Sequence, residues 1–304
     1  MNQLSLLTTE KSNQKSATLD ELSTPEILRI MNDEDQTVAL AVEKVLPEVE
    51  RTVEKVVAAF KSGGRLIYTG AGTSGRIGVL DAVECPPTFS TSPDMVQALL
   101  AGGEQAMFTA VEGAEDDELL GAADLEKLQL TKNDVVLGIA ASGRTPYVKG
   151  ALVYANSCGA ATIALSSNKD SVIGQYADIK IEVVTGPEVL TGSTRLRAAT
   201  AHKMVLNMIT TASMVKNGKV YKNFMVDLNA SNYKLRERAK KMVCTLTEVP
   251  YEEAERVLEE TGFNVKLAIV MIFAGASKTE AEQLIGQSGG FVREAVRMSA
   301  IKEG

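Results

Sequence analysis

Two short segments rich in glycine and hydroxyl groups carry the clearest chemistry in the chain. They are Gly70-Ala71-Gly72-Thr73-Ser74-Gly75-Arg76 and Ala140-Ala141-Ser142-Gly143-Arg144-Thr145-Pro146. Each follows a short apolar run and precedes a helical pattern. Glycine lets the backbone turn tightly and come close to a ligand. The free N–H groups at the helix start then face an anion. The helix dipole alone is worth only ~0.3–1 kcal/mol when exposed, whereas a hydrogen bond to a charged group gives ~1.5–3 kcal/mol. The donors therefore decide, and Thr73, Ser74, Ser142 and Thr145 add hydroxyls to the amides. Taken alone, the first segment spells GxGxxG, a dinucleotide fingerprint. That reading needs an acid ~20 residues on, at the end of the next strand. Asp94 comes before the second apolar run and Glu104 lies late. A Walker A loop is excluded, because Gly75-Arg76-Ile77 replaces Gly-Lys-Ser/Thr. For one loop, the plain alternative is that Ser142 and Thr145 only cap a helix; two such loops fit a single phosphate.

Three further segments supply charge. Gly186-Pro187-Glu188 is followed by Thr191-Gly192-Ser193-Thr194-Arg195-Leu196-Arg197 at the expected start of a long helix. Cations are unfavourable there unless an anion is near, so this segment, with Ser193, reads as another wall of an anion pocket. In Asp81-Ala82-Val83-Glu84-Cys85-Pro86-Pro87 the prolines are expected to end a helix. Glu84 would then sit in the last turn, where the dipole and an apolar neighbourhood raise its pKa. A carboxyl kept protonated near neutrality is a candidate general acid; the alternative is a solvated glutamate at a helix end. Glu112-Gly113-Ala114-Glu115-Asp116-Asp117-Glu118 crowds acids that repel and can hold one proton up. Acids also simply populate first helical turns.

The elements that must position these residues read as a helical opening followed by alternating strands and helices. Thr24-Pro25 marks a helix start, and Val38–Phe60 continues with a kink or break at Pro47. Ser62-Gly63-Gly64 stops it. Short apolar runs at Arg65–Gly70, Met95–Ala101, Asp134–Ala140, Ala161–Leu165 and Ile179–Val184 read as strands. Helical patterns at Ile77–Glu84, Asp116–Leu128 and Tyr147–Ser157 lie between them. The alternation predicts an α/β fold with a doubly wound parallel sheet in three layers. Ser193–Val215 reads as one long helix. Beyond it come helices at Pro250–Glu260, Asn264–Phe273, one capped by Ser277 and Glu280, and Phe291–Ile301. The predicted division is 1–239 for the sheet domain with its N-terminal helices and 240–304 for a small helical domain.

Composition narrows the function classes. With 32 Lys+Arg against 39 Asp+Glu, the net charge of −7 argues against nucleic-acid or anionic-membrane partners, which need a basic face. One histidine and three scattered cysteines (Cys85, Cys158, Cys244) give no metal-ligand spacing, so no metal is expected. Odd, isolated cysteines suit a reducing compartment. Met1–Ser16 has only a short apolar patch at Leu4–Leu7, so no signal peptide is expected. The longest uncharged apolar stretch, Leu267–Ala276, is far short of the ~18 residues of a membrane span. A cytoplasmic location follows. The absence of Trp and 5% aromatic content fit a small charged ligand better than a stacked glycan.

GAGTSGR, DAVECPPTF, VEGAEDD, GIAASGRTPY and TGSTRLRAATA, with MNDEDQTVALAVEKVLP near the front, resemble the N-acetylmuramic acid 6-phosphate etherase family over essentially the whole chain. The resemblance implies a flavodoxin-like sugar isomerase (phosphosugar-binding) domain and a small domain similar to ubiquitin-associated folds. It implies a cytoplasmic homodimer that cleaves a D-lactyl ether and needs no cofactor. Glu84 matches the family's proton donor and Glu115 its second active-site carboxylate. The phosphosugar would lie on Gly72, Thr73, Ser74, Gly75, Ser142, Gly143, Arg144, Thr145 and Ser193. Ala140 stands where the wider pattern often has another serine, so that hydroxyl contact is missing. His202 matches no required motif and reads as a core or surface histidine. A phosphosugar sensor without catalysis, or an aldose–ketose isomerase, would keep the hydroxyl loops but release no lactate. Glu84 lies ten residues beyond Ser74, ~15 Å along one straight helix at ~1.5 Å per residue. Either that helix is broken or each site draws on two subunits.

Overall fold

The computed structural model describes residues 7–228, 230 and 232–302; Leu4–Leu6 of the N-terminal apolar patch lie outside them. The order of elements follows the alternation. Helices α1 (Thr24–Asp35), α2 (Val38–Glu43) and α3 (Leu46–Lys61) precede strand β1 (Leu66–Gly70) and helix α4 (Gly72–Phe89). Then come β2 (Val96–Leu100), α5 (Glu118–Lys127), β3 (Val135–Ile139), α6 (Pro146–Ser157), β4 (Ala161–Ser166), β5 (Ile179–Glu182) and α7 (Arg197–Lys216). Five helices close the chain: α8 (Tyr233–Thr247), α9 (Tyr251–Glu260), α10 (Val265–Ala274), α11 (Lys278–Gln287) and α12 (Val292–Lys302).

The five strands form one parallel sheet in the order β2-β1-β3-β4-β5, the flavodoxin-like arrangement. β1 and β3 are buried along their whole length, as strands covered on both faces are. Ile67, Val136 and Ala164 pack with Tyr147, Val148 and Leu152 of α6 and with Leu125 of α5. On β1, the Tyr68 hydroxyl donates to Asp81 of α4 at 2.8 Å, and Asp81 also accepts from Thr210 of α7 at 3.2 Å. Burial pushes the Asp81 carboxyl up, against the lowering effect of these hydrogen bonds. No helix among the described residues is long and apolar enough to cross a membrane.

Several local expectations change. Ser23, not Thr24, caps α1: its N–H donates to Glu26 at 2.8 Å in a capping box. The break near Pro47 falls at Lys44–Val45, and Pro47 opens α3, where its missing N–H costs nothing. The long helix α7 begins at Arg197 rather than Ser193. Pro86 and Pro87 do not end α4, which runs to Phe89. Proline's fixed φ suits a helix, so the cost is lost hydrogen bonds and crowding against the preceding turn. The Ser90 N–H closes the final turn onto the Pro86 carbonyl at 2.9 Å, and buried Cys85 and Phe89 anchor it.

The chain divides into two compact units: one takes residues up to Val83 with Asp94–Thr210, the other Glu84–Pro93 with Thr211 onward. The second unit has its own core, with Met242, Val243 and Leu246 of α8 against Val257, Leu258, Ile269 and Leu284. Helix α8, absent from the expected elements, extends this helical core back to Tyr233. Asn264 and Ser277 cap α10 and α11 as their types suggest.

A buried ion pair fastens the N-terminal helices to the sheet unit. Arg197 Nη1 lies 2.6 Å from Glu34 Oε2, with the two side chains only 6% and 7% exposed. Arg197 also donates to the Pro187 carbonyl at 2.9 Å and to the Thr37 hydroxyl at 2.7 Å. Glu188 accepts from the Arg197 and Ala198 N–H groups at 3.0 and 2.9 Å and so caps α7. Burial pushes the Glu34 carboxyl up, but hydrogen bonds from Lys15 and Asn13 and the Arg197 charge outweigh it and hold it below the usual carboxylate range. Removing one partner of such a pair costs ~3–5 kcal/mol. Glu34→Gln is therefore expected to unfold at lower urea at pH 7. Because the folded carboxyl is the depressed one, its stabilisation is present above its ordinary pKa of 4.5 and fades below it. The gap between wild type and Glu34→Gln should narrow as pH falls from 6 to 3; a constant gap would contradict the assignment.

Candidate active site

The strand order reverses at β1: the chain goes from β1 outward to β2, then returns to β3 on the other side. Gly70 and Ile139, the last residues of β1 and β3, are register partners. The two hydroxyl loops therefore leave neighbouring strand ends and face one crevice at the topological switch point. A cavity of about 190 Å³ lies there. Gly72, Thr73 and Ser74, at the start of α4, form one wall, and Ser142 and Thr145, just before α6, form another. Both helices turn their N-terminal ends toward it. The Ser142 hydroxyl accepts from the Arg144 N–H at 3.2 Å, which leaves its own hydrogen for a ligand.

Glu115 also lines this cavity. It stands on the short turn Ala114–Asp116, between Gly113 at φ +78° and Asp117, whose carboxylate accepts from the Leu120 N–H at 3.0 Å and caps α5. Buried Ala114 roots that turn in the sheet core. The acidic cluster thus divides: Asp117 does the capping work common at helix starts, and Glu118 pairs with Lys149 at 2.9 Å, while Glu115 opens to the crevice. Arg76 donates to the Ala106 carbonyl at 2.8 Å and the Met107 carbonyl at 3.2 Å. The arginine that follows the first loop therefore braces the short turn Glu104–Met107 and does not line the cavity.

Other expected residues lie elsewhere. A Cβ on Gly75 would come within 2.5 Å of the Gly70 carbonyl oxygen and 2.4 Å of Leu100, so this glycine serves the strand–helix junction and does not line the cavity. Gly143, at φ +73°, shapes the turn between Ser142 and Thr145, and Arg144 lies beside the cavity rather than on it. Ser193 does not line it, whereas its neighbours Gly192 and Thr194 do. Arg197 is no ligand cation, because Glu34 already pairs with it. Glu84 is not among the lining residues. Its helix is unbroken from Gly72, so Glu84 stands ~15 Å along the axis from Ser74. It is exposed and about a turn and a half from the helix end, not in the last turn.

Two lining residues had no motif to mark them. His202 of α7 is fully buried, and its Nε2 lies 3.0 Å from the Ser167 hydroxyl. Burial lowers its pKa to about 4, so the ring is neutral at pH 7. Glu10, from the N-terminal segment, is the other. Histidine count and the polar run Thr8-Thr9-Glu10 were visible, but nothing in their local spacing pointed to the crevice.

Comparison with known proteins places the chain among relatives of one family. Residues 48–156 match the glucokinase regulatory protein N-terminal SIS domain family, and residues 110–212 match the SIS domain family. An N-acetylmuramic acid 6-phosphate etherase of Geobacillus thermodenitrificans is 59% identical over 95% of this chain and 98% of its own length. Another, from a Geobacillus species (strain WCH70), is 57% identical over 97% of this chain and all of its own. A third, from Bacillus subtilis, is 53% identical over 95% of each. Among solved structures, a phosphoheptose isomerase from Neisseria gonorrhoeae shares the fold at a TM-score of 0.50 and 18% identity, over 62% of this chain and 98% of that one.

Loss of one hydrogen bond to a charged group costs ~1.5–3 kcal/mol, roughly 10–150-fold in a dissociation constant. Ser142→Ala should weaken glucose 6-phosphate binding by that factor in calorimetry, while Ser193→Ala changes it less than twofold. Equal effects of the two would mean that Ser142 does not hold the phosphate.

Proposed function

The chain belongs to the N-acetylmuramic acid 6-phosphate etherase family, and on that basis we propose that it splits the D-lactyl ether of N-acetylmuramic acid 6-phosphate by elimination and then hydration. The products are N-acetylglucosamine 6-phosphate and D-lactate, in the recycling of cell-wall amino sugars. The observation that carries the reading is the meeting of both hydroxyl loops and Glu115 in one crevice at the sheet's switch point. The loops suit the phosphate, and the carboxylate suits proton transfer beside it.

An ether is a poor leaving group. In the open-chain sugar the C3 ether lies β to the C1 aldehyde, which makes the C2 proton acidic. Removing that proton lets the C2–C3 double bond form as the C3–O bond breaks, and a proton goes to the departing lactate oxygen. Water then adds at C3 and C2 is reprotonated. Atoms balance with one water and no oxidant. Glu84 is assigned to protonating the leaving oxygen. Glu115 handles the water, with a share in the C2 proton. A general acid contributes ~10²–10⁴-fold, about 3–5 kcal/mol of barrier.

We infer that Glu84 reaches the crevice from a second copy of the chain, in a cytoplasmic homodimer, and its distance along α4 supports that reading. Two observations support this. The cavity of about 190 Å³ is below the ~300 Å³ at which ligand pockets usually begin, so one chain's crevice suits the phosphate and part of the sugar. Leu80 and Val83, one turn and one residue before Glu84, are 49% and 57% exposed, an apolar face that suits a protein partner.

Glu84→Gln should lower lactate release by ~10²–10⁴-fold with sugar phosphate binding retained. Mixing Glu84→Gln with Ser74→Ala subunits should restore part of the activity; no recovery would argue for sites within one chain. In D₂O the product should carry deuterium at C2, and a product without it would exclude elimination.

A further inference from the structure

Glu10 lines the crevice yet has no part in the chemistry above. Its position is held by a buried side chain. Asn168, 2% exposed, accepts from the Thr8 N–H at 2.7 Å and donates to the Thr9 hydroxyl at 3.1 Å. The same amide donates to the Ala141 carbonyl at 3.1 Å, so it ties the turn Thr8–Glu10 to the second hydroxyl loop. Farther along, the Ser16 hydroxyl donates to the Val189 carbonyl at 2.7 Å, fastening the segment to the stretch that leads to Gly192. A Cβ on Gly192 would lie 3.7 Å from Glu10 Oε2, so the carboxylate lies close beside that stretch.

Two charge types share this small cavity. Thr73, Ser74, Ser142 and Thr145 form a donor end. A carboxylate accepts hydrogen bonds and cannot share those donors with a phosphate without like-charge repulsion. It therefore suits the uncharged part of a phosphosugar, which presents hydroxyl donors. We propose that Glu10 is a specificity-determining residue: it accepts hydrogen bonds from hydroxyls of the sugar and, by excluding the phosphate from its end, sets the direction in which the phosphosugar lies. The identity of the sugar rests on the etherase reading; the polarity of the crevice does not.

The test compares wild type, Glu10→Gln and Glu10→Asp. With N-acetylmuramic acid 6-phosphate, Glu10→Gln should raise KM at least tenfold and change kcat less than threefold. Calorimetry should show N-acetylglucosamine 6-phosphate binding weakened at least tenfold and inorganic phosphate binding unchanged or tighter. Glu10→Asp should recover part of the sugar phosphate affinity. The proposal is overturned if sugar phosphate binding stays within twofold of wild type, if inorganic phosphate weakens in parallel, or if kcat falls with KM unchanged. Should wild type release no lactate, the etherase reading fails, while the two binding measurements still decide the role of Glu10.

Discussion

A phosphate leaving water must find its hydrogen bonds again on the protein, and that demand organises the sheet unit. Only at the switch point between β1 and β3 do two neighbouring parallel strands end beside two helix starts. Backbone amides and four hydroxyls then come together, with the carboxylates Glu10 and Glu115 in the same lining. The Gly70–Ile139 register sets the two loops side by side, and Gly75 lets α4 close down on β1. Arginines near the loops, Arg76 and Arg197, are occupied in bracing carbonyls and in an internal ion pair. No arginine or lysine among the described residues lines the crevice, so an anion entering it would meet amides and hydroxyls.

The residues before the sheet complete this arrangement. Lys15, Asn13 and Arg197, at the start of α7, converge on Glu34, and Asn168 joins the first turn to the Ser142 loop. These contacts are polar and, apart from the exposed Lys15 side chain, largely buried, so they hold one geometry rather than a range of them. They make Glu10 of the N-terminal segment part of the crevice lining.

Helix α4 imposes the opposite constraint. A single unbroken rod cannot bring both its first turn and Glu84 to one small ligand, because the rise per residue separates them. Its two prolines were expected to end it, yet buried Cys85 and Phe89 carry the last turn past them. The proposal that Glu84 acts from a second copy of the chain rests on this separation along α4.

Most of the sheet was legible in the sequence: five apolar runs, the helices between them and the two hydroxyl loops stand within a few residues of their expected places. Such features depend on neighbours close in the chain, where spacing and turn chemistry decide. The same holds for the caps at Asn264 and Ser277. What only the tertiary structure decided are the pairings of residues far apart in the chain. Arg197 meets Glu34 instead of a ligand; Glu10 reaches the crevice through Asn168; His202 is buried, neutral, in its lining. No local pattern encodes these, because burial and hydrogen-bond partners from 35 to 163 residues away set them.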